Sequence, residues 1–385
     1  MTNTVNGWDP IYFANKALRI LKKTLGVALT VNTVYHEERQ AFGKGSVITV
    51  PRPALFVAQD APNSAAQDAG GVPVTINLDQ WKEVVFKLND KERTAVGDNY
   101  ITQHLDSAAY AIRDVIEGAL TGLYTDIPWY YDLNATPGSV VADAVQPRKI
   151  LAINKARLDP ANLFYMVDPT LEANLVSNAA FGQWNGAGPT GEKTQINGMM
   201  GTRFGQQFYM TQNVKSHTPG TLSLTSVLLN GAVSKNGTAV TLDNNGGALT
   251  GTVKKGDVLT IAGNAQQYAA TADATAAGNN ITVSVTPELV QNYADNTAVT
   301  VRLDSHVANL VYQRDAFGIV NVLLPDKEVR QMGGALVFTQ GDEETNLSVR
   351  VTLWYEPKES ATYCKVDVLY GVKTFYPDLA VRAAA

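Results

Sequence analysis

The sequence predicts an α+β protein with a small all-β domain inserted into a larger one. Three observations carry that prediction. Residues 219–305 contain no Phe, Trp, Met or Cys, whereas the rest of the chain holds every Trp and every Tyr except Tyr268 and Tyr293. Apolar residues recur at three- and four-residue spacing over 99–127, the signature of an amphipathic helix. Short alternating runs rich in β-branched residues fill 219–305 and return at 348–353 and 362–370, the period of a strand.

At 385 residues the chain exceeds what one core usually holds, which fits a principal domain of roughly 300 residues plus the insert. A net charge of -5 and sparse charged residues, beside plentiful Ala, Gly, Asn and Thr, suit a protein that buries surface against neighbours. They do not suit a nucleic-acid reader, which carries a basic balance. The single cysteine, Cys364, excludes an intramolecular disulfide and fits a reducing compartment. It stands in an alternating run, where a half-buried strand cysteine is expected. The first residues form no basic-then-apolar signal, and no apolar stretch reaches the roughly 18–20 residues of a membrane span, so neither is expected. The Asn-X-Ser/Thr triplets at Asn134, Asn236, Asn280 and Asn346 read as chance matches in an Asn- and Thr-rich chain.

In chain order, Asp9 and Pro10 read as an N-cap with proline at the first helical position. Ala14, Leu18, Leu21 and Leu25 then repeat at helical spacing up to Gly26. The outer face carries Lys16, Arg19, Lys22 and Lys23, a basic stripe that suits a membrane surface, nucleic acid or an acidic partner, or else plain solvation on a packed arm. Strand-like ends at 46–51 and 72–78 flank a polar tip, an extended hairpin with too few apolar residues to hold itself down. Its natural support is a neighbouring subunit. After a strand at 84–88, Asp98 or Asn99 caps a helix with Ile101, Leu105, Ala108, Ile112, Ile116, Leu120 and Leu123 on one face, stopped by Pro128. About 27 residues make it about 40 Å long, a backbone element.

Helix-like 142–157, a strand at 163–167 and a second helix opened by Asp168 and Pro169, running through Leu175 to Ala180, form an α/β unit. In the insert, runs at 238–242, 258–261 and 281–285 alternate with turn residues at 230–231, 236–237, 244–247, 255–257 and 278–280. A small antiparallel barrel or sandwich is expected, with its two ends close together. Asp243, Asp257, Asp273, Asp295 and Asp304 give it an acidic lean suited to pairing across subunits. Past the insert, Val307, Leu310, Val311, Phe317, Ile319 and Val322 supply the apolar positions of the resumed unit. Strands at 348–353 and 362–370, joined by a polar turn at 356–360, complete a sheet beside the long helix.

Parts in this order resemble the major capsid proteins of tailed bacteriophages with the Hong Kong 97-like fold. Among these the chain is most similar to the insertion-bearing coat proteins of short-tailed Salmonella phages. The local matches are 197–205 (Asn-Gly-Met-Met-Gly-Thr-Arg-Phe-Gly), 256–263 (Gly-Asp-Val-Leu-Thr-Ile-Ala-Gly), 307–317 (Val-Ala-Asn-Leu-Val-Tyr-Gln-Arg-Asp-Ala-Phe) and 376–381 (Tyr-Pro-Asp-Leu-Ala-Val). The resemblance implies an N-terminal arm at 1–42, an extended loop at 43–80 and a peripheral domain at 81–140 with its spine helix at 99–127. It further implies an axial domain at 141–218 and 306–347, the inserted β-barrel at 219–305 and peripheral C-terminal strands at 348–385.

The same resemblance implies hexamers and pentamers that close into an icosahedral shell, the virion capsid, assembled in the host cytoplasm on a scaffolding protein. A portal protein at one vertex and double-stranded DNA held by nonspecific contact complete the set, with no membrane, no cofactor, no metal and no catalytic residue. The insert is then expected to brace capsomers and to assist subunit folding. Lys16, Arg19, Lys22 and Lys23 become the candidate contact for scaffold or neighbour. Where related arms are acidic and receive a basic scaffolding helix, this basic face implies an acidic partner or a different docking site. Some shells of this kind crosslink a hairpin lysine to an asparagine next door. The tip between Val57 and Val72 has no lysine, which implies noncovalent maturation.

Enzyme readings fare poorly. Residues 186–191 (Gly-Ala-Gly-Pro-Thr-Gly) spell a dinucleotide pattern, and with Glu192, Lys193 and Thr194 they fall one residue from a phosphate loop. No strand precedes them, Pro189 removes an amide, and Glu192 occupies the slot that Lys193 needs. His36, His104, His217 and His306 stand singly, without zinc spacing. The acidic run Asp342, Glu343, Glu344 reads as a solvated turn, with calcium binding the lesser alternative. Two nonenzymatic rivals share features with this chain: encapsulin-like shells that enclose cargo enzymes, which generally lack so large a barrel insert, and fibre or decoration proteins, which need neither spine helix nor long hairpin.

Overall fold

The computed structural model describes residues 10–33, 47–50, 58, 66, 73–96, 99–182, 194–198, 200–223, 226–245, 247–325, 335–342 and 345–385. The chain forms two compact units, Met1–Glu117 with Phe317–Phe375, and Gly118–Ala316 with Tyr376–Ala385.

In the first unit, helix Pro10–Thr24 buries Phe13, Ala14, Ala17, Leu18 and Leu21. Their three- and four-residue spacing makes one apolar stripe, and the helix packs on strands Leu336–Asp342 and Leu347–Glu356. Those strands belong to an antiparallel sheet that runs Phe317–Val322, Ala361–Thr374, Leu347–Glu356, Leu336–Asp342, with Gln80–Asn89 along Ala361–Thr374. Asp367 is fully buried in the long strand and accepts from Arg350 Nε at 3.0 Å and Nη2 at 2.5 Å and from Trp81 Nε1 at 3.1 Å. Strands Val47–Val50 and Val74–Asn77 pair antiparallel, with Val47 opposite Asn77. This hairpin root is held by its own unit: at Gly371 any Cβ would stand 2.3 Å from the Asn77 carbonyl oxygen. Of the polar tip, only residues 58 and 66 lie among the described residues.

Helix Asn99–Thr121 buries Leu105, Ala108, Ala109, Ile112 and Ile116 within this unit. The α-helix ends at Thr121, and a 3₁₀ turn over Gly122–Asp126 follows in place of a single helix to 127. Thr121 Oγ1 donates to the Asn213 carbonyl at 2.8 Å and Thr125 Oγ1 to the Gly122 carbonyl at 3.4 Å. Hydroxyls that bond to nearby carbonyls compete with the helical ladder and tighten the last turn.

In the second unit, a sheet runs Tyr130–Asp132, Ala380–Ala384, His306–Gln313, Leu163–Val167, Gln206–Met210, Thr202–Arg203. Helices Ala142–Ile153 and Pro169–Ser177 cover one face, in a core that includes Leu151, Leu171, Leu175, Phe181, Tyr165, Val311 and Val381. Asp168 caps the second helix by accepting from the Thr170 amide at 3.0 Å, as its place before Pro169 predicts. The first helix stops short of 157 because Lys155 turns left-handed, at φ 61°.

Within the same unit, residues 219–305 form a six-stranded antiparallel sheet. Its order is Val299–Arg302, Val258–Ile261, Gln267–Ala270, Ile281–Thr286, Ala239–Asp243, Leu228–Leu229. The two ends of that order meet: Leu228 bridges Ala298, and the Leu229 amide reaches the Thr297 carbonyl at 2.9 Å. The sheet thereby closes on a core drawn entirely from the insert, including Leu229, Val240, Leu242, Leu259, Ile261, Tyr268, Val283 and Val301. Gly231, Asn236, Gly256, Gly278 and Asn279 adopt the positive φ that the turn signals predict.

Two of the sequence-derived ranges are cut by the pairing. Residues 306–347 read as one stretch of the split domain, yet Phe317–Val322 pairs with Ala361–Thr374 in the first unit. Residues 348–385 read as peripheral strands, yet Ala380–Ala384 pairs with His306–Gln313 in the second. Alternation says that a segment is a strand; it does not name the strand beside it.

Candidate functional site

Entry to and exit from the insert are adjacent. Strand Ser216–His217 leads in, His306–Gln313 leads out, and His306 stands opposite His217. The rings of these two histidines lie 5.1 Å apart. Asp257, on the turn before strand Val258–Ile261, is buried and accepts from His217 Nε2 at 2.8 Å, the Gly220 amide at 3.0 Å and the Lys254 amide at 2.7 Å. The other ring nitrogen, His217 Nδ1, is 3.1 Å from the Tyr124 hydroxyl. One arrangement satisfies both bonds with a neutral ring: Nε2 donates to the carboxylate and Nδ1 accepts from the phenol. Burial raises the Tyr124 pKa, which keeps that phenol a donor.

His306 Nδ1 donates to the Asp304 carbonyl at 2.8 Å, and its ring meets Tyr130 edge to face at 5.1 Å. Burial, reinforced by the positive charge of Arg382 and by His217, pushes its pKa down to about 4. Arg382 is fully buried. Its Nη1 donates to the Gly256 carbonyl of the insert and its Nη2 to the Ile127 carbonyl of the host, both at 2.7 Å, with the Tyr124 ring 5.3 Å from the guanidinium carbon. Burial lowers its pKa to about 10. A cation held by carbonyl dipoles and a ring face, with no carboxylate paired to it among the described residues, is a positional clamp.

The line Tyr124, His217, Asp257 has the form of a proton relay. Its members are buried and the carboxylate is occupied by three donors, so the line offers no exposed nucleophile and serves as a structural seam. Around it, Tyr130 N donates to Gln267 Oε1 at 2.6 Å, Arg302 pairs with Asp132, and Lys255 Nζ lies 2.9 Å from Asp126 Oδ1. The acidic lean of the insert is partly taken up by its own chain: Asp257 is buried, and the exposed Asp273 accepts from Lys254 Nζ and the Lys255 amide, both at 2.8 Å. Pairing of Asp257 across subunits is thereby corrected, because its oxygens already serve its own chain.

The basic stripe of the arm is split in two. Lys16 Nζ is 3.0 Å from Asp106 Oδ1 and Lys22 Nζ is 3.2 Å from Asp342 Oδ2. Arg19 lines a shallow hollow of about 250 Å³ with Tyr12, Asn15, Lys16 and Ile20. The Lys23 side chain, the glycine-rich 186–191 segment, His36, Glu343 and Glu344 lie outside the described residues. His104 packs beside Phe86, 5.8 Å between ring centres. Among the described residues no group of three His, Cys, Asp or Glu is placed to hold a metal, and no helix is long and apolar enough to cross a membrane. Sequence reasoning missed Arg382, whose signal was a lone arginine inside an apolar strand, Ala380–Ala384.

Neither a family model nor a curated protein matches the sequence. The structure is similar to one described as Mycobacterium phage Che8, at TM-score 0.51 and 12% identity over 94% of this chain and 91% of that one. It is also similar to the capsid structure of the cyanophage P-SCSP1u, at TM-score 0.48 and 13% identity over 93% and 86%. A third is the mature capsid of bacteriophage PhiM1, at TM-score 0.44 and 9% identity over 88% and 82%. The chain has the α+β Hong Kong 97-like fold.

Proposed function

We propose that this chain is the major capsid protein of a tailed double-stranded DNA bacteriophage, of the insertion-bearing kind found in short-tailed Salmonella phages. One observation carries the reading: its likeness to a phage structure runs almost end to end on both chains at a TM-score above one half. The closed barrel with its own core, set into the host sheet, supports the finer assignment.

In this reading the molecule works mechanically. A stiff helix and a hairpin root pinned to its sheet let copies interlock as hexamers and pentamers. Each interface repeats around the shell, so modest contacts add to a stable whole. The seam around Asp257 and Arg382 ties the insert to its host, so that strain passes between them. Arg19 and Lys23 remain the arm's candidate contacts for an acidic scaffold segment, since Lys16 and Lys22 already face acids of their own chain. The portal occupies one vertex, and DNA is held inside the virion by weak, nonspecific contact.

Coexpression with its genomic neighbours, followed by electron microscopy, tests this. Closed shells that contain DNA or scaffold are expected, formed in the host cytoplasm. Shells filled with cargo enzymes would move the chain to the encapsulin-like class, and monomers that persist at high concentration would end the shell reading altogether.

A further inference from the structure

The barrel has a complete core, and its seat combines the turn Gly122–Asp126, where Asp126 meets Lys255, with two host strands distant in sequence. From Tyr130–Asp132 come the Tyr130 amide on Gln267 and the Asp132 carboxylate on Arg302. From Ala380–Ala384 come Arg382, on the Gly256 carbonyl at 2.7 Å, and Ala384, which buries itself with Val258 and Tyr130 in one small cluster. Tyr130–Asp132 is the edge strand of the host sheet, and its neighbour in that sheet is Ala380–Ala384, paired in parallel from Arg382 opposite Tyr130. Without Ala380–Ala384 the edge strand loses its ladder, and the seat keeps only the contacts of the turn Gly122–Asp126.

We propose that docking of the insert is conditional on strand Ala380–Ala384, with Arg382 as the positioning residue that couples the two. The guanidinium is fully buried and bonds the insert with one nitrogen and the host with another. If the barrel is undocked, the Gly256 carbonyl is withdrawn and a buried cation, whose Nε already has no partner among the described residues, keeps only the Ile127 carbonyl as acceptor. If the strand is unpaired, the cation is withdrawn from the barrel. Each event therefore favours the other. Chain order adds a direction: residues 219–305 are synthesised before 380–384, so the barrel closes first and stays tethered through Ser216–His217 until the later strand completes the sheet. This ordering rests on the geometry alone and holds whatever the chain builds.

Hydrogen exchange and tryptic cleavage of the full chain test it. In Arg382→Met, exchange at the Tyr130 amide should rise at least tenfold and cleavage after Lys255 should accelerate. The Ala262, Val285 and Val299 amides, which bond inside the barrel, should keep their protection. Val381→Ala loosens the same strand from the opposite side, in the host core, and should produce the same pattern about threefold. An unchanged Tyr130 in Arg382→Met, or loss of the barrel amides alongside it, overturns the proposal. So does a Val381→Ala chain whose Tyr130 amide stays protected, because Arg382 would then be only a local bond. If Arg382→Met fails to fold, Val381→Ala decides the matter alone.

Discussion

Gly220 and Gly251 each stand where a side chain would strike the backbone beside the other. A Cβ on Gly220 would lie 2.1 Å from the Thr252 carbonyl oxygen, and a Cβ on Gly251 2.2 Å from that of Thr221. The approach is bonded, with the Thr221 amide on the Thr252 carbonyl at 2.9 Å. Only glycine permits it, and Gly251 also holds φ at +104°.

Gly251→Ala is expected to cost about 1–3 kcal/mol in backbone strain alone. In a domain of this size that lowers the melting temperature of the insert by at least about 4 °C. Gly231→Ala shares the positive φ but has nothing within 4 Å of a new Cβ, so it should cost less. Calorimetry of both variants separates strain from collision, and equal losses would contradict the close approach.

Stability should fall with acid through His306. Its folded pKa, about 4, lies below its ordinary value of 6.5, so the unfolded chain binds the proton more readily. The stability gained by keeping the ring neutral is complete above about 6.5 and is lost as pH drops from there toward 4. Burial is the main cause; Arg382 and His217 add to it, while the Asp304 carbonyl and Asp132 oppose it. Urea unfolding at pH 7 and pH 5 should show a smaller difference in His306→Gln than in the parent chain. Identical pH dependence would exclude this group as the source.

Asp257→Ala strands two amides and a ring N–H, and a loss of about 3 kcal/mol is expected. Tyr124→Phe removes one hydroxyl bond to His217 and should cost about 1 kcal/mol. Because both act through His217, the double variant should lose less than the sum, which denaturant titration of the four chains will measure.

Two ion pairs of the first unit should behave in opposite ways. Breaking the buried Asp367 contact with Arg350→Met leaves a carboxylate without its main partner, at about 3 kcal/mol or more. Lys22 and Asp342 are 37% and 23% exposed, and Lys22→Glu should cost less than about 1 kcal/mol. A fall in shell yield on reversing Lys22 and Lys23 together would therefore report a lost partner contact, whereas an unchanged yield would discard the acidic partner.

Much of the architecture was legible because it depends on neighbours a few residues apart. The stripe of Ala14, Leu18 and Leu21, the cap at Asp168 before Pro169, and the positive-φ turns at Gly231, Asn236 and Gly278 all follow from local spacing or backbone sterics. The seam was not legible. Asp257 meeting His217 and Arg382 reaching Gly256, like Lys22 facing Asp342 in the other unit, join residues whose separation in sequence carries no signal of their proximity.

By itself, then, the amino-acid order determined which segments become helix, strand or turn, since periodicity and turn chemistry act over a handful of residues. Only the tertiary structure decided that Phe317–Val322 and Ala380–Ala384 part company into different units, and that a lone arginine becomes the clamp of the insert. Strand partnership and the solvation of a buried charge are set by whatever the rest of the chain brings alongside, and no short window of sequence contains that information.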